Sequence, residues 1–131
     1  MNYIDKLAWL RVEDHKILST RSIGKDKYYI PGGKREAGES DIDALVREIR
    51  EELSVDLIVD SIEYAGTFEA QAHGKSEGLV VRMTCYWADY IGDLAVANEV
   101  ELLRWLDYSG KAESSEVDGL IFDWLHERDL I

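Results

Sequence analysis

The alternation of apolar and polar positions predicts β-strands along the first part of the chain. Residues 7–12 and 16–21 are both strand-like, and the polar residues 13–15 between them predict a tight hairpin turn. Residues 28–30 form another short β-type run. We expect a loop at Pro31-Gly32-Gly33, because proline cannot donate a backbone hydrogen bond to a sheet.

A period close to that of an α-helix predicts a helix over residues 40–53. Its apolar stripe consists of Ile42, Leu45, Val46, Ile49 and Leu53. Ser40 is a suitable N-cap, and Asp43 resembles the acidic member of a capping box. A second helix is predicted to begin near Ser115. Its apolar stripe consists of Val117, Leu120, Ile121, Trp124 and Leu125.

Four further segments are strand-like, namely residues 57–59, 61–70, 79–90 and 100–106. A polar stretch over residues 71–78 joins two of them into a long hairpin. The resulting order of strands, helix, strands and helix predicts an α/β or α+β fold, in which helices cover a sheet. At 131 residues the chain has the size of one domain, which we expect to span residues 1–131.

The charge balance excludes some classes of binding partner. Lys and Arg number 15 against 27 Asp and Glu, which gives a formal net charge of −12, and no run of basic residues is present. A chain this acidic repels nucleic-acid polymers. No apolar segment approaches the roughly 18 residues of a membrane helix, and the N-terminus does not resemble a secretory signal. We therefore expect the protein not to bind membranes. Cys85 is its single cysteine and cannot form a disulfide within the chain, so we also expect the protein to be cytoplasmic.

The helix predicted over residues 40–53 has a second, charged face. Arg47, Glu48, Glu51 and Glu52 lie together there, since residues three and four apart are neighbours on a helix. Such a face is ordinarily solvated, but this one follows a glycine pair that lets a ligand approach the backbone. Mg²⁺ in proteins is usually bound by one or two carboxylates, phosphate oxygens and water. The residues therefore indicate a Mg²⁺–phosphate site beside this helix.

Residues 33–55 resemble the Nudix box. The required positions of that pattern are occupied, at the required spacing, by Gly33, Glu39, Arg47, Glu48, Glu51 and Glu52. Ser54 stands where the pattern has glycine, at a position where helices often end in the left-handed conformation. We expect serine there to strain or reshape the cap at a cost of about 1 kcal/mol.

The resemblance implies a Nudix-type α/β/α sandwich, with a mixed sheet, the Nudix loop and helix, and a C-terminal helix. It also implies hydrolysis of the pyrophosphate bond in a nucleoside diphosphate linked to another group. Mg²⁺ would be the cofactor, with Mn²⁺ as the alternative, and two or more ions would clamp the pyrophosphate and activate a water. Arg47 would hold Glu39 through a salt bridge that fixes the loop against the helix.

The resemblance further implies a set of metal ligands. Glu51 and Glu52 would be the main ligands, and the backbone carbonyl of Gly33 would add another. Glu48 would either bind metal or act as the base that activates water. Glu99 resembles the additional acidic ligand of the MutT-type branch, although it can equally be a solvated charge at the edge of a strand.

Residues outside the box are candidates for selecting the substrate. Tyr28, just before the Pro-Gly-Gly segment, is the favoured residue to stack on a base, although aromatic residues on strands more often belong to the core. Arg21 and Lys34 could contact phosphates. The other candidates lie near the long hairpin loop, where they could bind a base edge or act as a catalytic base, and these are Glu69, Gln71 and His73.

Among the branches of the family, the chain most resembles the MutT-like group. Members that act on ADP-ribose carry a proline beyond the box, and the one proline here is Pro31. We therefore expect a nucleoside triphosphate, ordinary or oxidised, as the substrate, with a nucleotide sugar and coenzyme A as alternatives. A catalytically silent nucleotide sensor is the alternative from another class, but the intact acidic residues argue against it. The protein is expected to be a monomer or a homodimer.

Overall fold

The computed structural model describes residues 3–72 and 78–131. The elements in these residues follow the order strands, helix, strands, helix. The strands are β1 (Tyr3–Leu10), β2 (Val12–Glu13), β3 (Lys16–Ser22), β4 (Gly32–Lys34), β5 (Asp56–Leu57), β6 (Glu63–Gln71), β7 (Val80–Trp87), β8 (Tyr90–Ile91) and β9 (Val100–Leu106). The α-helices are α1 (Asp41–Leu53) and α2 (Glu116–Glu127), and short 3₁₀ turns cover Val59–Ser61 and Tyr108–Glu113.

The central sheet is mixed. Its strands lie in the order β4-β1-β7-β6, with β1 and β7 parallel and the other neighbours antiparallel. A second sheet has the order β2-β3-β9 and is antiparallel throughout. Strands β5 and β8 form a separate short pair. The predicted mixed sheet with helices is therefore confirmed.

The two α-helices cover opposite faces of the central sheet. Strand β1 shows this clearly, because its side chains alternate between two clusters of buried residues. Leu7 and Trp9 pack in the cluster that contains the buried residues of α1. Ala8 and Leu10 pack in the cluster that contains those of α2. This alternation makes the domain an α/β/α sandwich, as the resemblance implied.

Gly32 and Gly33, expected with Pro31 to form a loop, are instead the first two residues of β4, so the prediction is wrong for these two residues. Pro31 lies just before the strand, and its carbonyl accepts a hydrogen bond from the N–H of Trp9 at 2.8 Å. No ladder hydrogen bond is lost there, because a strand can begin after proline. Glycine is needed at Gly32, since a Cβ would lie 1.9 Å from the carbonyl oxygen of Leu7.

Both predicted helices are present, the first with the predicted N-cap Ser40 and the second beginning after Ser115. The hydroxyl of Ser40 accepts a hydrogen bond from the N–H of Asp43 at 3.1 Å. At α2, the hydroxyl of Ser115 accepts one from the N–H of Asp118 at 3.4 Å. In the part of the chain that the structure describes, no helix has the length and apolar character needed to cross a membrane.

Two residues expected in the buried stripes are exposed instead. Ile42 is 37% exposed and Leu120 is 43% exposed. Ile42 lies in the first turn of α1, before the buried residues begin at Ala44. In α2 the buried side includes Ile121 and Leu125, and the rotation of about 100° per residue carries Leu120 away from that side.

The C-terminal cap of α1 has the left-handed conformation that glycine usually provides. Ser54 adopts φ 63° and ψ 22°, and its N–H bonds to the carbonyl of Arg50. Its hydroxyl donates to the carbonyl of Ala95 at 3.1 Å. The hydroxyl therefore ties the helix end to the segment before β9, which offsets part of the cost of a left-handed serine.

Replacing Ser54 separates these two effects. Ser54→Ala keeps the left-handed residue but removes the hydrogen bond, so we expect a loss of about 1 kcal/mol in the free energy of unfolding. Ser54→Gly removes both the strain and the hydrogen bond, so its free energy of unfolding should stay within about 0.5 kcal/mol of the wild type. Urea denaturation of the three proteins measures the difference, and equal losses for both variants would contradict this account.

Candidate active site

A cavity of about 380 Å³ opens beside β4. Part of its lining is polar and comes from Gly32 and from three residues of the box, Gly33, Glu48 and Glu52. Another part is apolar and comes from β1, β7 and α2, with Ile4, Val81, Met83 and Val117. The cavity therefore combines a carboxylate and glycine wall, suited to phosphate and metal, with an apolar wall, suited to a base.

Arg47 connects the loop before α1 to the charged face of the helix. Its guanidinium donates to both oxygens of Glu39, at 2.7 and 2.8 Å. It also donates to the carbonyl of Lys34 at 3.1 Å, and to the carboxylates of Glu48 at 2.9 Å and Glu51 at 3.2 Å. The pKa of Glu39 is lowered to about 2, chiefly by these bonds from Arg47. The salt bridge implied by the box is thus present, and it holds the loop in place.

Arg47 can be tested against a neighbouring arginine on the same helix. Lysine at position 47 keeps the charge but cannot make the two parallel bonds to Glu39, so Arg47→Lys should lower kcat by about 10- to 100-fold in a folded protein. Arg50→Lys is the control, because Arg50 makes one bond to Asp56 and both side chains are mostly exposed. Steady-state kinetics give the comparison, and equal activities of the two variants would contradict a positioning role for Arg47.

Glu48 lies directly against the backbone of Gly33. A Cβ built on Gly33 would be 2.1 Å from Oε2 of Glu48, so the carboxylate occupies the space that any side chain there would fill. Only 17% of the Glu48 side chain is exposed. Burial raises its pKa, and the nearby Arg47 partly opposes this. Glycine at this position therefore lets a carboxylate and a backbone segment meet at the cavity wall.

Glu52 lies deeper than Glu48. Its Oε1 accepts a hydrogen bond from the N–H of Gly32 at 3.3 Å. Burial, followed by repulsion from Glu48, raises the pKa of Glu52 to about 8. Two carboxylates in one cavity wall favour either a shared proton or a bound cation.

The donor set fits a divalent cation that brings ligands of its own. Glu48, Glu52 and the Gly32-Gly33 backbone supply oxygen atoms at the cavity wall. Among residues 3–72 and 78–131, no group of three or more acidic, histidine or cysteine side chains forms a ready-made metal cage. Mg²⁺ commonly uses one or two carboxylates and completes its shell with phosphate oxygens and water. The wall therefore suits Mg²⁺ bound together with a phosphorylated substrate.

The other residues named from the sequence fall into two groups. Lys34, Gln71 and Glu99 line the cavity with Glu48 and Glu52. The remaining described residues do not line it. Glu51, expected to be a main metal ligand, has a side chain that is 48% exposed and paired with Arg47.

Three residues predicted to contact the substrate do not line the cavity. Tyr28 is only 4% exposed and packs in the core, because β-alternation places its neighbour Tyr29 at the cavity instead. Arg21 bonds to Glu101 at 3.3 Å. Glu69 bonds to Arg82 across the β6–β7 pair. His73, the other candidate, lies outside the described residues.

The structure brings four further residues to the site or next to it. Lys6, Lys25 and Tyr29 line the cavity. Asp118 is fully buried behind it, where Oδ2 accepts from the N–H of Ile30 at 2.9 Å and Oδ1 has no partner among the described residues. Burial raises the pKa of Asp118 to about 7. A signal for Lys6 existed in the sequence, since it interrupts the apolar residues on one side of β1.

A family model described as the NUDIX domain matches residues 5–124. The chain belongs to the Nudix family. As a Nudix protein, it is a hydrolase that acts on pyrophosphate bonds. No curated protein matches the chain.

Several solved structures share the Nudix fold of this chain. The E. coli ORF135 protein has a TM-score of 0.76 at 26% identity, covering 98% of this chain and 92% of its own. A MutT protein from Methanosarcina mazei Go1 has a TM-score of 0.78 at 18% identity, covering 98% and 96%. A UDP-X diphosphatase has a TM-score of 0.68 at 15% identity, covering 98% of this chain and 64% of its own. The Nudix fold therefore extends over nearly the whole chain.

Proposed function

We propose that this Nudix hydrolase cleaves nucleoside triphosphates, ordinary or oxidised, with Mg²⁺ or alternatively Mn²⁺ as the cofactor. The observation that carries the proposal is the pair of half-buried carboxylates, Glu48 and Glu52, in the wall of a cavity that also has an apolar part. The carboxylate wall suits a cation and the phosphates, while the apolar part suits a base. Both parts belong to one cavity large enough for a small nucleotide.

Glu52, Glu48 and the carbonyl of Gly33 would hold the metal. When bound, the divalent cation neutralises phosphate charge and lowers the pKa of a bound water. As the alternative to binding metal, Glu48 would accept a proton from the attacking water, since its carboxylate lies against Gly33 at the cavity wall. Glu99 lines the same cavity and would add a carboxylate when phosphate is present. Glu51 would join only by turning away from Arg47.

Arg47 and Glu39 would act through the loop that they hold. Their two parallel hydrogen bonds fix the loop before α1, and the bond from Arg47 to the Lys34 carbonyl fixes β4 beside the helix. Gly33 is thereby kept against Glu48. This arrangement would maintain the distance between the metal ligands during the reaction.

The apolar part of the cavity would take the base. Tyr29 would replace Tyr28 as the aromatic residue that contacts it, because Tyr29 lines the cavity and Tyr28 does not. Lys34 and Lys25 line the cavity as well and would contact phosphate oxygens. Gln71 would bind a polar edge of the substrate. A nucleotide sugar is the second candidate substrate, supported by the shared fold with a protein named as a UDP-X diphosphatase.

A substrate panel tests the proposal. The protein is incubated with and without Mg²⁺, using nucleoside triphosphates, oxidised triphosphates, nucleotide sugars, ADP-ribose and coenzyme A, and the products are separated by chromatography. We expect Mg²⁺-dependent turnover of triphosphates at about 1 s⁻¹ or more. Turnover confined to nucleotide sugars would replace the proposed substrate. Nucleotide binding without any turnover would favour the sensor instead.

A further inference from the structure

Lys6 occupies a position on β1 where the strand pattern calls for an apolar residue. Ile4, Ala8 and Leu10 share its side of the strand, and all three pack in the cluster on the α2 side. The strand register places Lys6 beside Met83 of β7. Lys6 is nevertheless only partly exposed, and it lines the cavity.

The ammonium of Lys6 has no hydrogen bond or ion pair with any residue in the part of the chain that the structure describes. Its aromatic contact is with Tyr29, whose ring centroid is 5.6 Å from Nζ. Its cross-strand neighbour on β4 is another lysine, Lys34, so like charges face each other there. Burial lowers the pKa of Lys6, while Asp118 and Glu52 raise it. The cavity therefore contains an ammonium whose three donors make no hydrogen bond to a described residue.

The apolar wall of the cavity lies on the same side of β1 as Lys6. On its own side of the sheet, Ile4, Val81 and Met83 form the apolar wall of the cavity. Tyr29 lies against it and provides a flat ring. The carboxylates that suit a metal come from α1, which packs on the other face of the sheet. A nucleotide with its phosphates at the α1 carboxylates and its base against this apolar wall would bring the base near Lys6.

The inference about Lys6 rests on the proposed function, because it requires a nucleotide in the cavity. We propose that Lys6 selects the base, by donating a hydrogen bond to an exocyclic oxygen of that base. The enzyme then prefers nucleotides with a 6-oxopurine or a 4-oxopyrimidine to their amino counterparts. An exocyclic amine presents hydrogen donors to an ammonium that can only donate, so neither group is satisfied. A hydrogen bond to a charged group is worth about a 10- to 100-fold preference.

Two matched pairs of substrates test the proposal. Inosine and adenosine triphosphates differ at position 6 of the purine, and uridine and cytidine triphosphates differ at position 4 of the pyrimidine. We expect the wild type to prefer the oxo member of each pair by at least about tenfold in kcat/KM. In Lys6→Met, which suits the apolar side of β1, each ratio should fall to within about threefold of one. Lys6→Gln should do the same, because an amide both donates and accepts.

Lys16→Met is the matched control, since it removes the same charge from an exposed position on the hairpin. It should keep both wild-type ratios. A uniform loss of activity in Lys6→Met, with the ratios unchanged, would show that Lys6 contacts phosphate and would overturn the proposal. Wild-type ratios near one would overturn it as well.

Calorimetry with inosine and adenosine diphosphates separates this proposal from the proposed function. If no triphosphate is hydrolysed, the proposed function fails. A tenfold tighter binding of the inosine nucleotide that disappears in Lys6→Met would still support base selection by Lys6. Equal binding of the two diphosphates by the wild type would contradict it, whatever the enzyme hydrolyses.

Discussion

Replacing Glu52 with glutamine is expected to stop turnover and, without metal, to stabilise the folded protein above neutral pH. The loss of turnover follows from the proposed metal site, because a bound cation supplies several kcal/mol of transition-state stabilisation, roughly 10³-fold in rate. The gain in stability follows from burial. Glu52 shares the cavity wall with Glu48, and the amide of glutamine carries no charge there.

The pH dependence of this effect follows from the pKa of Glu52, which rises from the ordinary 4.5 to about 8 on folding. A carboxyl group whose pKa is raised on folding stabilises the folded state while the group is protonated. Its contribution to the free energy of unfolding is therefore complete below about pH 4.5 and is lost as the pH rises towards 8. One pKa unit corresponds to about 1.4 kcal/mol. We expect the metal-free wild type to lose on the order of 3 kcal/mol across this interval.

Urea denaturation in the presence of a chelator, at pH 5 and at pH 8, measures this difference. The free energies of unfolding of the wild type and Glu52→Gln should be similar at pH 5, and the variant should be more stable at pH 8. Glu51→Gln is the stability control, because it removes the same charge from a side chain that is 48% exposed. A Glu52→Gln variant less stable than the wild type at pH 8 would contradict the electrostatic repulsion between the carboxylates of Glu48 and Glu52.

Gly33→Ala is expected to lower kcat by about 100-fold while the protein stays folded. The new Cβ would lie 2.1 Å from Oε2 of Glu48, so one of the two must move. The carboxylate is the end of a flexible side chain, and it can swing aside at small cost to stability. Displacing a catalytic group by about 1 Å costs roughly 100-fold in rate. Steady-state kinetics and thermal melting of the same preparation test both halves of this prediction.

The control for Gly33→Ala is a glycine with room for a methyl group. At Gly119 in α2, a Cβ would meet only the side chain of Lys111, at 3.5 Å among the described residues. Gly119→Ala should therefore keep wild-type activity, and its stability should be equal or higher, because alanine favours helix over glycine. Full activity in Gly33→Ala would show that catalysis does not require the Glu48 carboxylate to lie against the backbone of residue 33.

The sequence was most informative where local chemistry determines the structure. The helix predicted over residues 40–53 corresponds to α1, with Ser40 as its N-cap. Ser54 ends that helix in the left-handed conformation that the box position implies. Such features depend on residues a few positions apart, so their spacing can be recognised without knowing the fold.

What the sequence did not predict depends on contacts between distant segments. Strand β4 exists because β1 pairs with it, and a three-residue strand after proline has no periodicity to detect. Tyr28 and Tyr29 are equivalent in the sequence, and the fold decides which of the two lines the cavity. Asp118 lies beside the start of the second predicted helix in the sequence, and only the fold shows that its carboxylate accepts a hydrogen bond from the backbone of Ile30. These outcomes depend on packing, which local patterns do not contain.

Binding of Mn²⁺ measured by electron paramagnetic resonance is the most direct test of the central claim, that Glu48 and Glu52 form a metal site. The free-ion signal is titrated with the wild type, Glu52→Gln and the exposed control Glu127→Gln, each with a nucleoside monophosphate present. We predict binding by the wild type and by the control, and affinity weakened at least about tenfold in Glu52→Gln. Equal affinities of all three proteins for Mn²⁺ would contradict the claim and place the metal elsewhere.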